Sequence, residues 1–190
     1  NRLGKPQLVR IETPAGLRTD AALLDSAFVF RPGEILRLSD WRETERRVAL
    51  LETFTAPRLE LAAVPGAGAF AARLRTAERN GFGPTPLAAI ARMARWLPYQ
   101  GVQADYANIG GRAASASALV RWDPDKRRLA LDYGQPLGGE ARLRGRWFAD
   151  AREENWRVDY NRRRPAEEFR MRTLATGFGV ESVLGPRLNV

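Results

Sequence analysis

The chain of 190 residues contains no cysteine and no histidine. Disulfides, thiolate or imidazole metal sites, cysteine nucleophiles and every mechanism that needs an imidazole base are thereby excluded. Lysine is nearly absent too: of 31 basic residues only Lys5 and Lys126 are lysines, which leaves 29 arginines. Long apolar runs are missing. The uncharged stretch Leu61 to Ala72 contains Pro65, Gly66 and Gly68, and none is longer, whereas a spanning helix needs about 20 apolar residues. A spanning β-strand stays open, because it takes only about 9–11 residues of alternating character. The net charge is +9. The length suffices for one ordinary domain or two small ones with a buried core.

What is present sorts the chain into two halves. In residues 1–80, Leu8 to Glu12 reads as a short strand closed by the turn Pro14-Ala15-Gly16. Thr19 and Asp20 offer an N-cap for a helix from Ala21 to Phe28, which Arg31-Pro32-Gly33 stops. Ser39 caps a longer helix from Asp40 to Phe54, where Trp41, Thr44, Val48 and Leu51 recur on one face, and Pro57 closes it. Arg58 to Val64 and Phe70 to Ala77 alternate on either side of Gly66-Ala67-Gly68, as a hairpin does. The order is β-α-α-β-β, a small sheet covered by two helices. Residues 81–98 read as a linker with a short amphipathic helix: Thr85 caps it, Pro86 suits its first turn, and Leu87, Ile90, Ala94 and Leu97 form its apolar face.

Residues 99–190 switch to a period of two. Alternating runs cover Val102 to Tyr106, Ala114 to Trp122, Leu129 to Tyr133, Ala141 to Trp147, Trp156 to Tyr160 and Phe169 to Ala175. That makes about six antiparallel strands joined by short turns such as Asp123-Pro124-Asp125-Lys126. One face carries Ala, Leu, Val and aromatic residues, the other Ser, Gln, Asp and Arg. Trp96, Tyr99, Trp122, Tyr133, Trp147 and Trp156 gather near strand ends. Both a transmembrane barrel with aromatic girdles and a soluble one-sided sheet produce this pattern. The soluble reading needs a cover for the apolar face, and this half holds no second apolar element.

Chemistry-bearing motifs are few. Glu153-Glu154 is a carboxylate pair flanked by Arg152 and Arg157, with nothing to build a pocket around it. Gly81-Phe82-Gly83 and Gly110-Gly111 lack the strand, helix and Lys-Ser/Thr of a phosphate loop. Arg142, Arg144 and Arg146 at period two suit either a phosphate-rich ligand or a charged face paired with acidic residues on neighbouring strands. No enzymatic role, cofactor or metal is expected.

Several stretches resemble the BamA/TamA superfamily of outer-membrane proteins. In the first half, Val9-Arg10-Ile11, the helix Asp20 to Phe28, Phe30-Arg31-Pro32-Gly33-Glu34-Ile35, the helix Asp40 to Phe54 and the hairpin to Glu78 are similar to a POTRA domain. In the second, Val102 to Gly111, Val120-Arg121-Trp122-Asp123, Lys126-Arg127-Arg128 and Glu153-Glu154-Asn155-Trp156 look like that family's opening barrel strands. The family's late Arg-Gly-Phe motif has no counterpart: Arg144-Gly145-Arg146 lies inside a strand pattern. The family's barrel has sixteen strands, and the residues from Tyr99 to Val190 supply about six at about 10 residues each. The expected fold class is therefore α+β: a POTRA-like β-α-α-β-β domain over residues 1–80, the linker 81–98, and antiparallel strands of an incomplete transmembrane β-barrel over 99–190. The chain is expected to be a fragment.

The resemblance implies an outer-membrane assembly, insertion or translocation component, with a periplasmic POTRA domain and a barrel in the outer membrane. It implies outer-membrane lipid, unfolded outer-membrane clients and periplasmic lipoproteins as partners, and no nucleic acid. A transporter portion of a patatin-like autotransporter fusion, or a soluble basic nucleic-acid-binding protein, are the alternative readings. The edge Arg58, Leu59, Glu60, Leu61, Ala62, Ala63 and Val64 is the expected client-strand site, by strand addition to an open edge. Gln100, Gly101, Val102, Gln103, Ala104, Asp105, Tyr106, Ala107 and Asn108 correspond to the family's lateral-gate strand. Arg142, Arg144 and Arg146 are expected to face the lumen, opposite Ala141, Leu143 and Trp147. Leu143→Arg should then disturb assembly far more than Arg144→Leu.

Overall fold

The structure, a computed structural model, describes residues 7–65, 69–158 and 167–183. The first half forms β1 (Leu8–Glu12), α1 (Ala21–Ala27), α2 (Leu38–Leu50), β2 (Phe54–Val64) and β3 (Ala69–Glu78), in the expected β-α-α-β-β order. β3 is central in the sheet order β1-β3-β2: β1 runs parallel to it and β2 antiparallel. The turn residues Gly66 to Gly68 lie outside the described residues.

Local chemistry places these elements. The Asp20 carboxylate accepts from Ala22 N and Leu23 N and caps α1, so the cap falls one residue past Thr19. No side chain caps α2, and Ser39 donates to the Asp40 carboxylate instead. α2 ends before Phe54, because Glu52 turns left-handed at φ 54° and the strand begins two residues later. Pro57 therefore does not close a helix. It sits in β2 at a register shift between Thr55 and Arg58, beside Ala56 at φ 45°, a bulge on an edge strand where a missing N–H is tolerated.

Thr44, Val48 and Leu51 turn inward from α2 as their spacing requires, and pack with Leu8, Leu23, Leu24, Phe28, Phe30, Phe54, Ala72 and Leu74. Phe30 meets Phe28 edge-on and stacks on Trp41, each at 5.9 Å between ring centres. Full burial of a Leu or Phe side chain contributes roughly 1.5–3 kcal/mol. Two residues of the second half, Ala113 and Ala141, belong to this same core. The two halves thus share apolar contacts.

After Gly81, α3 (Pro86–Ala94) is capped by Thr85, whose hydroxyl accepts from Ala88 N at 3.1 Å. No residue of α3 is buried. A single 3-10 turn, Leu97–Tyr99, leads into an antiparallel sheet: β4 (Gly101–Ile109), β5 (Ala114–Trp122), β6 (Lys126–Pro136), β7 (Leu143–Val158) and β8 (Glu167–Ser182). The order β4-β5-β6-β7-β8 leaves the sheet open, with β4 and β8 at its edges. Five strands are described rather than about six, because the runs around Trp147 and Trp156 are one 16-residue strand. Tyr160 lies outside the described residues. Arg142 falls in the loop before β7, paired with Glu140 at 3.7 Å, and does not share a strand face with Arg144 and Arg146.

Thr44 tests the core of the first half. Its buried hydroxyl accepts from Val29 N at 3.1 Å and donates to Asp40 O at 2.8 Å. Thr44→Val keeps the shape and strands the Val29 N–H, so thermal unfolding of the full chain should report a loss of about 2 kcal/mol.

Candidate functional site

The strand registers assemble side chains into rows across the sheet. Tyr106, Ala116, Tyr133, Trp147 and Phe178 form one row, Ala104, Ala118, Leu131, Ala149 and Thr176 the next, and Val102, Val120, Leu129, Ala151 and Leu174 a third. All lie on one face, because alternate residues share a face. Most of the large members are open to solvent: Leu174 is 82% exposed, Phe178 67% and Leu129 48%. An exposed contiguous apolar surface of this extent marks a binding or membrane-facing surface.

The opposite face is charged and internally compensated. Arg128 holds the Asp150 carboxylate with two bonds of 3.0 and 2.9 Å, and Arg152 adds a third at 2.6 Å. Arg146 pairs with Asp132 at 2.9 Å, and Arg121 with Asp123 at 3.1 Å. Of Arg142, Arg144 and Arg146, Arg146 pairs with an acidic residue of the neighbouring strand, whereas Arg142 pairs with Glu140 in its own loop and Arg144 with Glu52 of the first half. Phe148 also lies on this face, directly over the backbone of Gly177, where a Cβ would come within 2.5 Å of the ring.

The first-half unit docks at one end of this sheet. Arg144 is 2% exposed and reaches into the junction. Its guanidinium donates to Leu51 O at 3.2 Å, Ala113 O at 3.0 Å and Ser115 Oγ at 2.8 Å, and pairs with Glu52 at 3.1 Å. Gly134 makes room for it: a Cβ there would meet the guanidinium at 2.9 Å. Arg144 therefore shares the polar face with Arg146, as expected, but is sealed between the halves rather than standing in a lumen. Beside it, Asn108 Nδ2 donates to Thr19 Oγ1, Glu78 Oε1 and Asn80 Oδ1, while its Oδ1 accepts from Ala113 N. Asp20 N donates to Gly111 O at 2.7 Å, and a Cβ on Gly111 would meet Arg18 O at 2.4 Å. Ala141 N donates to Ser26 Oγ at 2.9 Å.

Glu78 anchors that network. Burial opposes its charge, but bonds from Asn80, from the Thr19 hydroxyl and from the Arg18 and Thr19 amides outweigh the burial and hold its carboxyl below the usual range. None of Arg144, Glu78 or Gly111 is marked as a junction residue by strand alternation. The Asn-x-Gly-Gly sequence at residues 108–111 signals a turn, and only its left-handed glycines hint at a close approach.

The two edges expected to take a partner strand are both edges. Arg58 to Val64 lies on β2, which among the described strands pairs with β3 alone, and its Glu60 is held by Arg75 at 3.2 Å. The strand expected from Gln100 to Asn108 is β4. Gln100 precedes it in a left-handed turn at φ 53°, and Asn108 turns its side chain into the junction. β4 runs toward the first-half unit, since its following turn carries Gly111. Its outer edge is paired at one position, where Gly81 and Ala107 exchange N–H···O bonds of 2.8 and 3.0 Å. Glu153 and Glu154 point to opposite faces and do not converge, and Glu153 is held by Arg170 and Arg172. Among the described residues no acidic cluster could hold a metal ion, and no helix is long and apolar enough to cross a membrane.

No family model matches the chain, and no curated protein matches it in sequence. Solved structures do match in fold. CdiB from Acinetobacter baumannii superposes with a TM-score of 0.52 at 11% identity, over 92% of this chain and 33% of that one. CdiB from Escherichia coli gives 0.48 at 14%, over 92% and 33%. BamA from Haemophilus ducreyi lacking POTRA domains 1-3 gives 0.46 at 11%, over 90% and 32%. The chain spans about a third of the length of the structures it matches, and the likeness to the Acinetobacter protein is one of fold.

Two predictions follow from the junction. A carboxyl held low in the folded state contributes stability that is present above its unfolded pKa, near 4.5, and lost as pH falls through its folded value. Glu78→Gln should therefore lower the unfolding midpoint at neutral pH, and the gap to the parent should close as the pH falls below about 4. Arg144→Leu leaves two buried carbonyls and Glu52 without their donor, and should cost about 3 kcal/mol in chemical denaturation. That reverses the sequence expectation that this substitution is mild.

Proposed function

We propose that the chain is part of an outer-membrane protein that assembles or translocates other outer-membrane proteins. The observation that carries this reading is the five-stranded sheet with one exposed apolar face and one ion-paired face. A bilayer covers the first, and a polar lumen suits the second. The first-half unit is read as a POTRA-like periplasmic domain seated at the lumen end of the wall. The β-α-α-β-β order supports this, as does its docking through Arg144 and Asn108 on the polar side. Outer-membrane lipid and unfolded clients are the partners this reading requires. An extended client would add to β2 at Arg58 to Val64, and β4 would serve as the strand bordering a lateral opening. The fold likeness to the Acinetobacter barrel protein supports the architecture. Nucleic-acid binding is disfavoured because Arg121, Arg128, Arg146 and Arg152 pair with aspartates and Arg157, Arg170 and Arg172 with glutamates, which occupies most of the sheet's arginines.

The test is membrane partition. Expressed in a Gram-negative host, the chain should fractionate with membranes and require detergent to stay monodisperse. Leu131, in the middle apolar row, should be intolerant of charge: Leu131→Arg costs about 2–4 kcal/mol at the bilayer midplane, while Asp132→Asn on the other face is far milder. A chain that is monodisperse without detergent, or equal partition of the two variants, would sink the reading.

A further inference from the structure

The helix α3 presents its bulky side chains to the outside. In water an amphipathic helix buries its large apolar residues and shows its polar ones. Here Leu87 is 75% exposed and Ile90 62%, and Leu97 is exposed just past the helix end. The half-buried positions are Ala88, Ala89, Met93 and Ala94. Arg92 gives the direction. It lines a cavity of about 770 Å3 together with Asp105, Ser115, Ser117 and Asp132, on the polar side of the sheet. At 3.6 residues per turn, Leu87 and Ile90 stand about 140° and 160° away from Arg92 around the helix. α3 therefore has the same two sides as the sheet, with charge toward the polar face and its leucine and isoleucine away from it.

Its position continues the sheet as well. α3 packs beside β4, along the margin that does not pair with β5. The segment is tied to β4 at both ends: Gly81 pairs with Ala107, and the Gly101 N–H donates to Trp96 O at 3.1 Å. Phe82 meets Tyr106, of the first apolar row, edge-on at 4.8 Å between ring centres. Gly101 directly precedes Val102, of the third row. The segment thus runs the height of all three rows. Between Arg79 and Asp105 the chain carries Arg92 and Arg95 and no acidic residue. Trp96 and Tyr99 pack edge-on beside Arg95, at the end of the segment near Gly101. Aliphatic bulk along the height, with aromatic and cationic groups at the end, suits an acyl layer bounded by anionic head groups.

We propose that α3 is a lipid-contacting part of the wall: Leu87, Ile90 and Leu97 enter the acyl chains beside β4, Arg92 faces the polar side, and Arg95 extends to the head groups. The placement rests on the outer-membrane reading above. A helix can stand beside a strand at this depth because its backbone N–H and C=O groups are met internally. A long arginine stem lies along apolar surface while its head stays in a polar layer.

The chain has no native cysteine, so a single introduced cysteine reports one position. Leu87→Cys and Ile90→Cys are made in the full chain, labelled with a nitroxide and reconstituted into vesicles of phosphatidylethanolamine and phosphatidylglycerol. Leu131→Cys reads the apolar face of the sheet and Ser117→Cys the polar face. Electron paramagnetic resonance compares collisions of each label with oxygen, which concentrates among acyl chains, and with a water-soluble nickel chelate. The oxygen-to-nickel ratio at Leu87 and Ile90 should equal that at Leu131 and exceed that at Ser117. Circular dichroism of the labelled variants should match the parent. Nickel-dominated collisions at Leu87 and Ile90, with oxygen-dominated ones at Leu131, overturn the placement of α3 and leave the membrane reading standing. Labels at Leu87 and Ile90 that meet neither reagent reveal a protein cover, from a second copy or another segment, and overturn it too. A nickel-dominated label at Leu131 overturns the membrane reading itself.

Discussion

A single buried guanidinium ties the two halves of this molecule together. Arg144 leaves the polar face at the start of β7 and spends its donors on the carbonyl that ends α2, the carbonyl that opens β5 and the hydroxyl of Ser115. A buried cation is tolerable only when nearly every N–H is met, and here backbone carbonyls do most of the meeting. The end of one helix and the start of one hairpin are thereby set against each other. Gly134 supplies the space on the neighbouring strand. The Asn108, Thr19 and Glu78 network then closes the flank, so the sheet and the small domain meet through polar contacts around a few shared alanines.

The remaining surface follows from what that docking leaves uncovered. One sheet face carries cross-strand pairs such as Arg128 with Asp150. The other face has no partner layer within the described chain, and its exposed leucines and aromatics run in straight rows until the pattern inverts at Glu153. On the reading proposed above, a bilayer is the medium that satisfies such rows without adding protein.

Much of this was legible in the sequence because it depends on short-range rules. The order β-α-α-β-β, the Thr85 cap with Pro86 behind it, and the two-faced character of residues 101–136 all follow from spacing and turn chemistry. The misplacements share a physical cause, a distant partner that outranks the local rule. Thr19 cannot cap α1 because Glu78, 59 residues away, takes its hydroxyl and amide. Pro57 marks a bulge because β2 must stay paired to β3 on both sides of it. Arg144 obeys the alternation of its strand, yet alternation assigns a face and says nothing of what stands at the strand's end. Arg142 looks like the next step of the same series, but Leu137 N bonds Leu143 O and closes a loop that excludes it.

The lone pairing of Gly81 with Ala107 has a geometric corollary. Any ladder that grew from it would set Gly83 against Asp105 and Thr85 against Gln103, because exchanged bonds recur at every second residue. The intervening positions, which turn their backbone groups outward, are Phe82 and Pro84, and Pro86 already opens α3. Proline has no N–H to present there. A ladder grown from that pair would therefore be short, ended by α3, with Phe82 supplying its one outward N–H before the helix.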